Sequence, residues 1–82
     1  MTRVTTAAAR ANFWNEWLSR RLPAGLGARL SGVVERDETL VIFAESAAWS
    51  ARLRYTVQDL EREILAAAPG LTTVVVRVRP RD

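Results

Sequence analysis

The chemistry that this sequence offers is the binding of anions by arginine. All twelve basic residues of the 82-residue chain are arginine, and they outnumber nine acidic residues, which gives a net charge of +3. A guanidinium group is always charged, and its planar set of donors matches phosphate and carboxylate groups. A GC-rich coding sequence produces the same arginine bias, so the composition favours a polyanionic partner only mildly.

The side chains that most often perform catalysis near neutral pH are missing. The sequence has no histidine, no cysteine and no lysine, which removes the usual general bases and activated nucleophiles and zinc sites built from His and Cys. Gly25 and Gly27 lack the lysine and the flanking strand of a phosphate-binding loop. We therefore expect a protein that is not an enzyme, with no catalytic residue, no metal and no cofactor.

Two pairs of arginines are candidates for nucleic-acid binding. Arg52 and Arg54 lie in the first turns of a predicted helix, where positive charge opposes the helix dipole and so favours a nearby anion. Arg77 and Arg79 alternate on one side of the last predicted strand, where they could follow a phosphate backbone. The alternatives are a solvated helix edge for the first pair and, for the second, a charged strand edge that prevents aggregation.

Aromatic residues are concentrated in the predicted first helix. Phe13, Trp14 and Trp17 cannot all face the core, because neighbouring side chains on a helix point 100 degrees apart. We expect Phe13 or Trp17, rather than Trp14, to be exposed, and an exposed aromatic ring is typical of an anchor for a protein partner. Together with Arg20 and Arg21 these two residues form the candidate partner-binding set. The alternatives are a wide buried face, and arginines that only compensate the helix dipole.

A buried strand that runs directly into an amphipathic helix organises the chain. Residues 40–44 form an unbroken apolar run, and Ser46 is the predicted N-cap of the following helix. Apolar residues then recur at steps of three and four, which indicates one face of a helix. These residues are Trp49, Leu53, Val57, Leu60 and Ile64. We expect Trp49 to be a core side chain rather than a stacking platform for bases.

The remaining elements lie before and after this unit. The composition predicts a first helix over residues 7–22, because Pro23 ends it. Val33 and Val34 begin a short strand, and residues 35–38 form the polar loop of a hairpin with four to five loop residues. The last strand covers residues 72–79 and follows a Pro-Gly stop signal. The side chains predicted on its core side are Val74, Val76 and Val78.

The order helix, strand, strand, helix, strand predicts an α+β fold. We expect a small two-layer sandwich in which both helices cover one face of a three-stranded sheet. Residues 1–6 are predicted to be a flexible lead-in, and residues 7–82 a single domain. No apolar run approaches the ~20 residues that cross a bilayer, and the N-terminus lacks a signal sequence. We therefore expect a cytoplasmic protein with no membrane partner, and the sequence leaves its oligomeric state open.

Several short motifs occur in order along most of the chain. They are Leu40-Val41-Ile42, Ser46-Ala47-Ala48-Trp49, Arg52-Leu53-Arg54-Tyr55 and, after Pro69-Gly70-Leu71, Val76-Arg77-Val78-Arg79-Pro80. Over residues 12–80 this pattern resembles the DciA family of bacterial replicative-helicase operators. The resemblance implies a KH-like fold, sequence-independent DNA binding, a DnaB-type helicase partner during helicase loading in DNA replication, and association with the nucleoid.

Two hypotheses from different classes follow. The first is the DNA- and helicase-binding module that the resemblance implies. The second is a protein–protein interaction domain that self-associates, or docks a partner through the aromatic first helix, without binding nucleic acid. The Gly-x-x-Gly loop by which KH domains hold RNA is missing, so RNA recognition of that kind is not expected.

Overall fold

The computed structural model describes residues 6–23 and 25–80. Its elements have the predicted order, and the predicted α+β fold with a three-stranded sheet is confirmed. The lead-in predicted for residues 1–6 lies outside the described residues except for Thr6, with which the first helix begins. The elements are α1 (Thr6–Arg21), a 3₁₀ helix (Gly27–Arg29), β1 (Leu30–Arg36), β2 (Thr39–Ala44), α2 (Ala47–Ala67) and β3 (Thr73–Val78).

Helix α2 begins and packs as its sequence predicts. The hydroxyl of Ser46 accepts a hydrogen bond from the backbone N–H of Trp49 at 3.3 Å, which satisfies one free donor of the first turn. The predicted stripe faces the core, since Leu53, Val57 and Ile64 are buried. Trp49 is only partly buried and packs against the margin of this core, as Leu60 does. Trp49 is therefore a packing residue, although it does not lie at the centre of the core.

The hairpin between β1 and β2 is tighter than predicted. Glu35 and Arg36 belong to β1 and pair with the start of β2, so that only Asp37 and Glu38 form the loop. Both loop residues have positive φ, 48° and 66°, and this geometry matches the twist of the strands in a two-residue turn. The prediction of a four- to five-residue loop was wrong, because polar composition hid two residues that pair in the ladder.

The sheet has the order β1-β2-β3, with β1 antiparallel to β2 and β2 parallel to β3. Both helices pack against one face, where the strand register confirms the predicted direction of the β3 valines. Val78 lies at the end of its strand and is still 45% exposed. The rows of partners across this face are Leu30–Ala44–Val78, Val33–Ile42–Val76 and Glu35–Leu40–Val74. Within the described part of the chain, no helix is long and apolar enough to cross a membrane.

Candidate nucleic-acid interface

The second face of the sheet is covered by neither α1 nor α2, and we call it the open face. Its side chains form rows of cross-strand partners over the three strands, and together they line a shallow depression. The middle row is apolar and half-buried, and the two outer rows carry arginine or threonine. The rows are Gly32–Phe43–Arg77, Val34–Val41–Val75 and Arg36–Thr39–Thr73.

Arg79 follows β3 directly and bends its guanidinium group across the open face. The central carbon of this group lies 4.2 Å from the centre of the Phe43 ring, and its Nη2 donates to the carbonyl oxygen of Ser31 at 3.0 Å. Gly32 provides the necessary space, because a Cβ atom at that position would collide with Nη2 of Arg79. The predicted phosphate ligand Arg79 is therefore stacked on an aromatic ring rather than extended into solvent.

The backbone of Arg79 is fixed as well. Its N–H donates to the carbonyl oxygen of Ala44 at 2.8 Å, and its carbonyl oxygen accepts from the hydroxyl of Ser31 at 2.6 Å. These two bonds tie the residue to β2 and to β1. The stacked pair of Phe43 and Arg79 is thus held from both sides by the sheet.

The four predicted nucleic-acid-binding arginines separate into two groups. Arg77 lines the open face and also the groove between β3 and α2, which Arg54 lines from the helix. Arg52 lies elsewhere, with its guanidinium carbon 5.5 Å from the centre of the Trp49 ring and beside the connector that follows α1. The fold therefore brings Arg54, Arg77 and Arg79 to the two sides of β3 and leaves Arg52 apart.

The expectation that the helix dipole favours an anion beside Arg52 and Arg54 was wrong. They are the sixth and eighth residues of a helix that begins at Ala47, and the effect of the dipole falls off within the first turn. An anion site at these residues would need the neighbouring arginines of β3. Only Arg54 has such a neighbour, Arg77.

Some of the described arginines form salt bridges and others do not; Arg20, Arg52 and Arg62, away from the open face, are exposed and form none with another described residue. Three salt bridges connect described residues: Arg10–Glu35 at 2.7 Å, Arg21–Glu63 at 3.2 Å and Arg29–Glu45 at 3.1 Å. Four exposed arginines on the open face or in the β3–α2 groove take part in no salt bridge with another described residue. We call this set, Arg36, Arg54, Arg77 and Arg79, the arginine rim. Among the described residues, Asp37 and Glu61 are the carboxylates that line the same surfaces, so the rim keeps an excess of positive charge that can attract an anion.

The predicted partner-binding residues lie together on the surface of α1. Phe13 is 41% exposed, Trp17 is partly buried and Trp14 is fully buried, so the exposed aromatic is one of the two expected residues and not Trp14. The guanidinium carbon of Arg21 lies 3.9 Å from the centre of the Trp17 ring. Arg20 is exposed and lines the same shallow surface as the other three residues. The structure therefore brings Phe13, Trp17, Arg20 and Arg21 into one patch.

Glu35 has a role that the sequence analysis missed. Its carboxylate accepts from the indole N–H of buried Trp14 and from Nη2 of Arg10 at 2.7 Å. The hydrogen bond from Arg10 is the main cause that lowers the pKa of Glu35; that from Trp14 adds to it, while burial opposes both. The same bond raises the pKa of Arg10. The available signal was the alternation from Val33 to Glu35, which places both on the core side of one strand.

Phe43, Gly32 and Arg36 were also missed, since residues 40–44 were interpreted as one buried run and Arg36 as part of a loop. No protein-family model matches the sequence, and no curated protein matches it. The resemblance to the DciA family therefore stays a prediction.

Proposed function

We propose that this domain is a non-enzymatic DNA-binding module that acts together with a DnaB-type replicative helicase. The observation that carries the proposal is the arginine rim, in which exposed guanidinium groups on both sides of β3 lack a carboxylate partner among the described residues. Such groups neutralise phosphates and release counterions without reading the base sequence. The motif resemblance supports DNA as the polyanion and the helicase as the protein partner.

The test of DNA binding is a salt titration. Fluorescence anisotropy of a labelled DNA strand should show an affinity that falls steeply between about 50 and 200 mM salt. Arg54→Gln and Arg77→Gln should each weaken binding and reduce the slope of log K against log salt by about 0.7 to 0.9. The matched control is Arg29→Gln, because Arg29 already pairs with Glu45 and lies over Trp49.

Two outcomes would contradict this proposal. One is the absence of binding to any DNA at the lowest salt concentration. The other is an equal effect of all three substitutions, since the rim would then have no advantage over an arginine that is paired inside the domain.

The helicase contact is assigned to the α1 patch. The Phe13 ring is partly exposed and is already packed edge-on against Trp14, so it can enter a pocket of a partner at small entropic cost. In a pull-down with the DnaB-type helicase of the same organism, Phe13→Ser should reduce capture by about tenfold. Tyr55→Ser is the control, because Tyr55 is an aromatic residue that is 76% exposed and lies on α2. Equal capture of both variants would contradict the assignment.

The alternative function, a protein-interaction domain that does not bind nucleic acid, is favoured by the same exposed ring. It predicts a complex, with a partner or with a second copy, that salt does not weaken. Trp17→Ala should abolish this complex, whereas Arg54→Gln and Arg77→Gln should leave it intact. Light scattering at low and high salt, run beside the DNA titration, distinguishes the two functions.

A further inference from the structure

The centre of the open face is unsuited to phosphate. Val34, Val41 and Val75 form a half-buried apolar row across all three strands. A phosphate group placed on this row would lose water without gaining a hydrogen-bond partner, which is unfavourable. Phosphate groups therefore suit the arginines at the edges of the open face. The apolar centre suits a ligand that also has an apolar surface.

The Phe43–Arg79 pair is a second feature that phosphate contact does not explain. Cation–π attraction holds the guanidinium group of Arg79 over the Phe43 ring, and its bond to the Ser31 carbonyl fixes it there instead of extended towards a phosphate. Planar bases stack on aromatic rings and on the planes of arginine side chains. The pair thus provides a fixed planar surface beside the valine row.

We propose that the open face binds single-stranded DNA, with one unpaired base stacked on the Phe43–Arg79 pair and neighbouring bases over the valine row. This inference rests on the proposed function, because the arginine rim holds the phosphates of the same strand. Duplex DNA presents phosphates and sugars on its outside and keeps its bases stacked in its interior. Only an unpaired strand presents base faces and phosphates together, as the open face requires.

A second copy of this chain fits the open face less well. Two open faces in contact would bring Arg36, Arg77 and Arg79 of each copy towards the same set of the other. Asp37 is the carboxylate among the described residues that line this face, so most of the positive charge would have no partner. A polyanion with flat apolar bases complements both the charge and the valine row.

The test compares two strands of equal length and equal phosphate count, an oligothymidylate and an abasic strand. Fluorescence anisotropy at one salt concentration should show that the oligothymidylate binds about 5- to 100-fold more tightly, because base stacking adds to the phosphate contacts. Phe43→Leu retains an apolar side chain without a ring and should bring this ratio close to one. Tyr55→Leu removes an exposed ring on α2 and should leave the ratio unchanged.

A thermal melt of each variant shows whether it is folded. If Phe43→Leu is unfolded, Arg79→Lys decides the question, because lysine keeps the charge and loses the planar group; it should also reduce the ratio. Equal binding of the two strands by the wild type, with the expected salt dependence, would overturn this inference and leave the proposed function standing. Absence of binding to both strands would overturn both. A dimer that Val41→Glu dissociates would show that a second copy occupies the open face, and would overturn the inference.

Discussion

Replacing Glu35 by alanine tests how the core of this domain is fastened to its sheet. Trp14 is fully buried and donates its indole N–H to Glu35, so the substitution leaves a buried donor without its acceptor. An unpaired buried donor costs about 1 to 3 kcal/mol. The bridge to Arg10 adds about 0.2 to 1 kcal/mol at most, since the two side chains are 45% and 27% exposed. Water can enter the vacated site and partly replace the lost acceptor. We therefore expect the free energy of unfolding to fall by about 2 kcal/mol in total.

The assay is urea denaturation followed by tryptophan fluorescence, which the three tryptophans of the chain make sensitive. In a thermal melt, the same loss of about 2 kcal/mol should lower Tm by about 8 to 16 °C for a domain of this size. Glu35→Gln should lose about half as much, because its amide oxygen can still accept from the indole. Glu63→Ala is the control, since its bridge to Arg21 is exposed, and it should change stability by less than about 0.5 kcal/mol.

The same carboxylate predicts a dependence on pH. Hydrogen bonds from Arg10 and then Trp14 hold the pKa of Glu35 below its ordinary value of 4.5. A depressed pKa in the folded state means that the unfolded chain binds this proton more readily. The stabilisation is therefore complete above pH 4.5 and is lost as the pH falls through the folded-state pKa. The wild type should lose more unfolding free energy than Glu35→Gln over this acidic range. Equal losses in the two proteins would refute the reasoning. So would a Glu35→Ala variant whose unfolding free energy is as high as that of Glu63→Ala.

Three further substitutions probe the hairpin, the open face and the helix cap. Glu38→Gly should raise stability by about 0.5 to 1 kcal/mol in urea denaturation, because glycine adopts the positive φ of this turn without strain; a loss would contradict the turn geometry. Gly32→Ala should displace Arg79 from the Phe43 ring and reduce strand binding in anisotropy, whereas Gly70→Ala, in open space, should not. Ser46→Ala should cost about 1 kcal/mol in the same denaturation assay, and a change no larger than that of Ser19→Ala would contradict the cap.

The order and kind of the elements could be predicted because local signals agree with the tertiary packing. The cap at Ser46 and the apolar steps from Leu53 to Ile64 indicate the same helix that the structure contains. The hairpin was mispredicted because Glu35 is polar and yet faces the core, where it meets Trp14. A polar residue with a partner far along the chain has no local signal that distinguishes it from a loop residue.

The candidate site was predicted only in part, for a related reason. Alternation along β3 placed Arg77 on the open side of its strand, where it lies in the structure. The approach of Arg54 to Arg77 depends on how α2 packs along β3, and the separation of Arg52 depends on the connector after α1. Neither can be derived from spacing alone. The need for glycine at position 32 follows only from the position of the Arg79 side chain, which the sequence does not reveal.

The apolar run of β2 supports the proposal that the open face binds a ligand. A sheet with one face in solvent normally alternates apolar and polar residues, whereas unbroken apolar strands are typical of sheets covered on both faces. In β2, Leu40 and Ile42 face the helices, while Val41 and Phe43 face a side that no described helix covers. Covering such side chains stabilises by about 25 cal/mol per Å² of apolar area removed from water. In the proposed complex, the arginine rim attracts the phosphates of the strand and the valine row packs against its bases.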